Sequence, residues 1–261
     1  MPALPRAKKR FGQHFLTDRH YVERIVQAIA PQPRDAMVEI GPGTGILTRP
    51  LTTVLEHLHV VEIDRDLAAA LRDEFPRSKL TVHEGDALDF DFAALPTPLR
   101  VAGNLPYNVS TPILFRMAAI AERLRDCTFM LQKEVVERMV AAPATPDYGR
   151  LSVMLQYRFE MALALRVPPG AFTPPPKVDS AVVRMRPLGA DRPRARDKAL
   201  FARIVASAFE QRRKMLRSAV RGLADPQAFE AASIDPTRRG ETLSVREFIA
   251  LADAAGATRA G

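Results

Sequence analysis

From about residue 20 to residue 140, short apolar runs alternate with stretches of helical spacing. A parallel sheet flanked by helices leaves this trace, because its strands are covered on both faces and its crossovers are amphipathic. Residues 37–40 read as a first strand, after the turn-rich 31–35. Further strands fall at 59–63, 80–82, 99–102 and 128–131, with helices such as 67–75 and 111–121 between them. Two later strands are expected at 162–167 and 180–185. The segment joining them, 168–176, is too rich in proline to be helix or central strand. Beyond residue 187 helical periodicity takes over: Phe201, Val205, Ala208 and Leu216 fit one face of a helix, with Arg203, Arg213, Lys214 and Arg217 elsewhere. This pattern predicts an α/β domain over residues 1–186 and a small all-helical domain over 187–261, with no internal repeat.

Composition narrows the class. With 261 residues and 47% hydrophobic content the chain can bury a substantial core. No apolar run approaches the ~20 residues needed to cross a bilayer, and the basic residues 1–10 are not followed by the apolar core of a signal peptide. The single Cys127 allows no internal disulfide, so a reducing, cytoplasmic setting and a buried strand position are expected. The net charge of +8 points to an anionic partner. Arginine outnumbers lysine 31 to 7, which suits phosphate and stacked bases but also fits a genome-wide bias. Residues 187–261 carry 14 basic and 9 acidic side chains, against 24 and 21 in the rest. Positive charge is thus concentrated toward the C-terminal end, and in Arg6, Lys8, Lys9 and Arg10.

After the first strand runs Glu39-Ile40-Gly41-Pro42-Gly43-Thr44-Gly45. A dinucleotide loop needs glycines spaced G-x-G-x-x-G, but here the third position is Ile46. S-adenosylmethionine has no pyrophosphate and carries a sulfonium and an ammonium group, so the G-x-G-x-G run with Glu39 beside it fits that donor better. Glu62, at the end of the second strand, could accept two hydrogen bonds from ribose hydroxyls, with Asp64 as its rival. Gly85-Asp86-Ala87 follows the third strand, where a short acceptor could take the amino hydrogens of the donor's adenine. Any one of these acids alone would be an ordinary loop carboxylate; three at matching strand ends suggest a nucleoside site.

Asn104-Leu105-Pro106-Tyr107 follows the fourth strand. An amine on a flat heteroaromatic ring is a poor nucleophile, and a site that methylates it must place it in line with the methyl and exclude water. The Asn104 side-chain oxygen and the Leu105 carbonyl could hold the two amino hydrogens. Pro106 keeps Leu105 extended, and Tyr107 offers a face to a base that has left its own stack. The plain alternative is a turn that begins a helix. Phe172, in the proline-rich segment, is either a second plate for the base or an anchor in the core. His57 and His59 share a strand face, but without a third ligand they make no metal site. There is no G-x-S-x-G elbow for acyl chemistry. Residues 201–221 hold six basic side chains and one acidic. Such a run is usually a solvated face; with a nucleic-acid substrate, Arg212, Arg213, Lys214 and Arg217 become candidate phosphate contacts.

These motifs coincide with a known family. The chain resembles the ribosomal small-subunit RNA adenine dimethyltransferases from Lys9 to about Val245. Its pieces include Arg10-Phe11-Gly12-Gln13-His14-Phe15-Leu16, the glycine loop, the stretch from Gly103 to Pro112, Met130-Leu131-Gln132-Lys133-Glu134-Val135 and Tyr148-Gly149-Arg150-Leu151-Ser152-Val153. The most family-specific are Phe172-Thr173-Pro174-Pro175-Pro176-Lys177-Val178-Asp179-Ser180-Ala181-Val182 and Ala208-Phe209-Glu210-Gln211-Arg212-Arg213-Lys214. The resemblance implies a Rossmann-like methyltransferase sheet of seven strands with a small helical C-terminal domain. It implies dimethylation of two adjacent adenines in the last hairpin loop of small-subunit ribosomal RNA, on a pre-ribosomal small-subunit particle, with S-adenosylhomocysteine as product and no metal. Carried over by motif, donor contacts fall on His14, Leu16, Gly41, Gly43, Glu62, Asp86, Ala87 and Asn104. The adenine falls to Asn104, Leu105 and Tyr107, with Phe172 closing over it, and Glu62 is preferred to Asp64. His14 departs from the pattern, since many members carry Asn there. A monomer without membrane association is expected.

Three other functions compete: a large-subunit RNA adenine methyltransferase with the same core, a non-catalytic RNA-binding assembly factor, and a protein amide methyltransferase with an Asn-Pro-Pro-Tyr motif. The 173–180 and 211–214 runs resemble the small-subunit group, the intact Gly41-Gly43-Gly45 loop and Asn104 argue for retained chemistry, and the basic charge argues against the third.

Overall fold

The computed structural model describes residues 13–260; the basic positions Arg6, Lys8, Lys9 and Arg10 lie outside the described residues. The chain begins with β1 (Phe15–Leu16), α1 (Arg19–Ile29), β2 (Ala36–Ile40), α2 (Thr48–Val54), β3 (Leu58–Glu62), α3 (Arg65–Glu74), β4 (Leu80–Glu84) and β5 (Leu99–Asn104). It continues through α4 (Ser110–Ala119), β6 (Leu124–Gln132), α5 (Lys133–Val140), α6 (Arg150–Gln156), β7 (Phe159–Val167), β8 (Phe172–Thr173) and β9 (Ser180–Pro187). Four helices follow: α7 (Lys198–Glu210), α8 (Leu216–Ala219), α9 (Pro226–Ala231) and α10 (Val245–Ala260).

Seven strands form one sheet in the order β4-β3-β2-β5-β6-β9-β7. The five from β4 to β6 pair in parallel and β9 joins antiparallel to β6. After β2 the chain builds outward through β3 and β4, then returns to the other side of β2 for β5. The carboxyl ends of β2 and β5 therefore diverge into a crevice, the usual ligand position in an open α/β sheet. Central strands are apolar because both faces are covered: Val38, Val60, Val101 and Phe129 are fully enclosed, as is Cys127 on β6. Burying each such side chain contributes roughly 1.5–3 kcal/mol. Helix α1 buries Val22, Ile25 and Ile29, a spacing of three and four, and Asp18 caps its start through the His20 amide.

At the opposite, amino end of the strands Arg100 is buried yet satisfied. Its Nε and Nη2 grip Asp126 at 2.8 and 2.9 Å, and Nη1 meets Asp35 at 2.6 Å. A buried charge is tolerated when it is bidentate and fully hydrogen-bonded. His57 stands just before β3 and is not itself a strand residue. Its ring stands 5.0 Å from that of His59, and His59 Nδ1 lies 3.1 Å from His83 Nε2 on β4. Among the described residues no three His, Cys, Asp or Glu side chains could hold a metal ion.

The chain divides into two compact units. One ends at Val136 and resumes over Glu160–Pro187; the other takes Glu137–Phe159 and everything from Leu188 onward. A single cut at residue 187 therefore does not describe the division. The second unit packs around Tyr148, Phe201, Val205, Leu216 and Phe248. One helix through residues 201–216, as the periodicity suggests, is not formed: α7 stops at Glu210, and Gln211–Met215 turn before α8. Arg212 holds that turn, donating to Glu241 at 2.7 Å and to the Pro146 carbonyl at 2.6 Å. Leu216 is buried in the same core as Phe201, but from a separate helix.

Candidate active site

The crevice between β2 and β5 holds a cavity of about 320 Å³. Its donor end is built by the loop after β2. Gly41, Gly43 and Gly45 all take positive φ, at 66°, 57° and 78°, which bulkier residues adopt only with strain. That turn aims the Gly43 N–H at Glu62 Oε2, 3.0 Å away, while Glu62 Oε1 accepts from the Asp64 amide at 2.8 Å. Burial holds the Glu62 carboxyl above its ordinary value, although the Asp64 and Gly43 amide bonds oppose the rise. Asp64 does not reach the cavity; one oxygen caps α3 through the Asp66 amide and the other meets Gln13. The rival position is thus a helix cap. Asp86 borders the cavity after β4, one oxygen held by the Leu88 amide at 2.8 Å, and Ala87 lies beside it.

Glu39 is the penultimate residue of β2, ahead of this loop, and is 1% exposed. Its Oε2 accepts from the Thr48 hydroxyl at 2.7 Å. Burial pushes this carboxyl up to about 7; the Thr48 bond opposes the rise and the nearby Glu62 charge adds to it.

The acceptor end is assembled from distant pieces. Asn104 closes β5, and its Nδ2 donates to the His14 carbonyl at 3.2 Å. That bond fixes which way the amide points: nitrogen toward residues 13–16, the arm that ends in β1, and Oδ1 left to accept. The Leu105 amide donates to the Met130 carbonyl at 3.1 Å, pinning the residue whose own carbonyl is the second expected acceptor. Tyr107 lies in the turn that begins α4, where the Ser110 hydroxyl donates to the Tyr107 carbonyl at 3.0 Å. The turn reading and the site reading therefore describe the same residues. The Tyr107 hydroxyl lies 2.8 Å from the buried Ser180 hydroxyl on β9. The His14 ring stacks on Tyr107 with centroids 5.7 Å apart and lies with Nδ1 2.8 Å from the Pro174 carbonyl, to which it donates. His14, Leu16, Asn104, Leu105 and Tyr107 all border the cavity.

Phe172 is the exception. Its backbone pairs with Leu16 as β8 against β1, and its ring is buried in the core of the unit, not on the cavity wall. It fastens the arm that carries His14. Gly103, a position that sequence marks only as part of the Gly103–Pro112 motif, allows a close approach of two strands: a Cβ there would stand 2.3 Å from the Ile40 carbonyl oxygen. A glycine inside an apolar strand is itself a signal of close backbone approach. Ser180 and Thr48 carry no comparable local signal.

In the helical unit Arg213, Lys214 and Arg217 are exposed, whereas Arg212 is tied to Glu241, Pro146 and Tyr148. Arg217 and Arg221 wall a shallow recess that also contains Asp225 and Glu230.

Comparison with known proteins gives a consistent result. The model of a family described as "Ribosomal RNA adenine dimethylase" matches residues 5–255. A protein of Aromatoleum aromaticum named ribosomal RNA small subunit methyltransferase A is 59% identical over 94% of this chain and 93% of its own. A protein of the same name from Chromobacterium violaceum is 58% identical, covering 94% of each. Among solved structures, a dimethyladenosine transferase from Plasmodium falciparum superposes with a TM-score of 0.80 at 23% identity, covering 91% of this chain and 96% of that one. The 23S rRNA methyltransferase ErmE superposes at 0.71 with 25% identity, covering 93% and 99%.

Proposed function

The chain belongs to the ribosomal RNA adenine dimethylase family, and from that premise we propose that it methylates the N6 amino groups of two adjacent adenines in the 3′-terminal hairpin loop of small-subunit ribosomal RNA. The methyl donor is S-adenosylmethionine, and the substrate is a pre-ribosomal small-subunit particle. The observation that carries this reading is the Asn104 amide, turned by the His14 carbonyl so that its oxygen is the free end beside the cavity.

The donor set suits S-adenosylmethionine. Glu62 keeps lone pairs for ribose hydroxyls after binding the Gly43 and Asp64 amides, and Asp86 has one oxygen free of Leu88 for an adenine amine. Once bound, the donor supplies an electrophilic methyl on a positively charged sulfur. The residues of the chain do the rest. Asn104 Oδ1 and the Leu105 carbonyl take the two hydrogens of the target amine and turn its lone pair toward the methyl. Tyr107, steadied by Ser180, presents a face for the extruded base. No strong base is needed, because the amine proton becomes acidic as the new N–C bond forms. Phe172 acts in this reading by fastening the arm, and Arg213, Lys214 and Arg217 contact phosphates.

Identity of 58–59% to proteins named for the small subunit favours that substrate over the large subunit named for the more distant ErmE. No helix among the described residues is long and apolar enough to cross a membrane, and a monomer acting in the cytoplasm is the expected form. Incubating separated, unmethylated small and large subunits with labelled donor tests the assignment. Label should enter the small-subunit RNA; label confined to the large subunit would remove it.

A further inference from the structure

We propose that the His14 ring is the second aromatic contact of the target base: together with Tyr107 it forms the surface that receives the extruded adenine, a place that the burial of Phe172 leaves without its expected ring. This role rests on the adenine-methylation reading above and deepens it by adding a residue to the acceptor end.

Both rings are anchored. The Tyr107 hydroxyl lies 2.8 Å from the Ser180 hydroxyl, which restricts the swing of that ring. His14 is held twice: its backbone carbonyl accepts from Asn104 Nδ2 at 3.2 Å, and its Nδ1 donates to the Pro174 carbonyl at 2.8 Å. Pro174 follows β8 and Ser180 opens β9, so one stretch of chain positions both side chains. The backbone of the arm is fastened to the same stretch, Phe15 against Thr173 and Leu16 against Phe172. These anchors leave the two ring planes 26° apart in angle, with centroids separated by 5.7 Å, at the border of the cavity.

The pair stands beside the groups that take the target amine. His14 is bonded to the Asn104 amide itself, and Tyr107 lies three residues beyond Asn104. A base whose amine is held by Asn104 Oδ1 and the Leu105 carbonyl comes in against these rings. Having left its own stack, it has given up contacts on both faces, and aromatic side chains replace them. Among the described residues three aromatic side chains border the cavity, His14, Phe15 and Tyr107. Phe15 belongs to the donor end: it packs beneath the glycine loop, where a Cβ on Gly43 would lie 3.4 Å from its ring. Phe172 is buried in the core. His14 is the ring that remains to partner Tyr107.

Single-turnover methylation of unmethylated small subunits by the whole protein tests this, with the affinity for S-adenosylmethionine measured by calorimetry for each variant. His14→Ala should slow methylation about ten- to thirtyfold, the range for loss of one base–aromatic contact, while donor affinity changes less than about threefold. Two further variants separate the ring from its hydrogen bond. His14→Phe keeps a flat ring and gives up the bond to Pro174; it should recover to within about threefold of the wild-type rate. His14→Asn keeps an amide donor for the Pro174 carbonyl and gives up the ring; it should stay at the His14→Ala rate. A rate at or above wild type in His14→Ala would overturn the proposal. So would recovery by His14→Asn and not by His14→Phe, which would make His14 a brace for Pro174. A loss of donor affinity as large as the loss of rate would also overturn it, by placing the ring against the donor. Each of these results leaves methylation by the wild type, and with it the functional reading, intact. If the wild type transfers no methyl group, the reading falls and the proposal with it.

Discussion

Around the glycine loop at the donor end, the polar contacts join groups close in the chain. Gly43 meets Glu62 across 19 residues, Thr48 meets Glu39 across 9, and Glu62 meets Asp64 across 2. At the acceptor end the separations are 73 residues for Tyr107 with Ser180, 90 for Asn104 with His14 and 160 for His14 with Pro174. The donor end forms wherever β2, β3 and their loops form. The acceptor end exists only after the arm, the proline-rich segment and β9 have closed on β5, and bringing such distant groups together costs loop entropy before any contact is gained. The contacts around the glycine loop should therefore be robust, and adenine positioning should be sensitive to changes far from the reacting amine.

The largest effect should come from the residue beneath both ends. Gly103→Ala places a methyl against the Ile40 carbonyl, a backbone group that cannot swing away. Thermal melting should show a loss of roughly 10 °C, in the range of a severe core clash, together with loss of both donor binding and turnover. A normal melt with normal binding would show that the two ends are not joined through this contact.

Ser180→Ala and Tyr107→Phe separate the ends. Each removes one side of the same hydrogen bond, so each should lower turnover about three- to tenfold at unchanged donor affinity, and the double variant should be no worse than either single one. Additive losses in steady-state kinetics would mean that Ser180 acts elsewhere.

Glu39→Gln reports on the donor end without ligand. Its carboxyl is raised in the folded protein from 4.5 to about 7. Stability from the neutral form is thus fully present below the ordinary value and is lost as pH rises through about 7. The variant should melt with the wild type near pH 5 and a few degrees above it at pH 8. Parallel melting curves at both pH values would contradict this.

The smallest effects lie in the helical unit. Arg213→Gln with Lys214→Gln should weaken particle binding and reduce the slope of log affinity against log salt by about 1.5. Arg212→Gln should instead lower the melting temperature, since that guanidinium joins Glu241, Pro146 and Tyr148 within the unit. An unchanged salt slope in the first variant would place Arg213 and Lys214 in bulk solvent.

The same contrast explains what could be read from sequence. Strands buried on both faces announce themselves as apolar runs, so 37–40 and 128–131 lie inside the observed Ala36–Ile40 and Leu124–Gln132. The glycine loop and Glu62 carry their chemistry in local spacing. The 201–216 periodicity misleads because Leu216 is buried in the same core from a second helix after a turn that Arg212 ties down. Phe172, which the family resemblance leads one to expect over the adenine, is instead buried in the core with its backbone paired to Leu16, a contact 156 residues distant that no local spacing announces. The bond that orients Asn104 is invisible in sequence because its acceptor is a backbone carbonyl, which any residue at position 14 would supply.

The central claim is that an oriented Asn104 oxygen holds the adenine amine for methylation. Its most direct test is mass spectrometry of nucleosides from unmethylated small subunits treated with donor and either wild type or Asn104→Ala. The wild type should yield N6,N6-dimethyladenosine, and the variant at least a hundredfold less, as for loss of a key polar contact at a reacting centre, while its particles still bind. Near-normal dimethylation by Asn104→Ala would contradict the account.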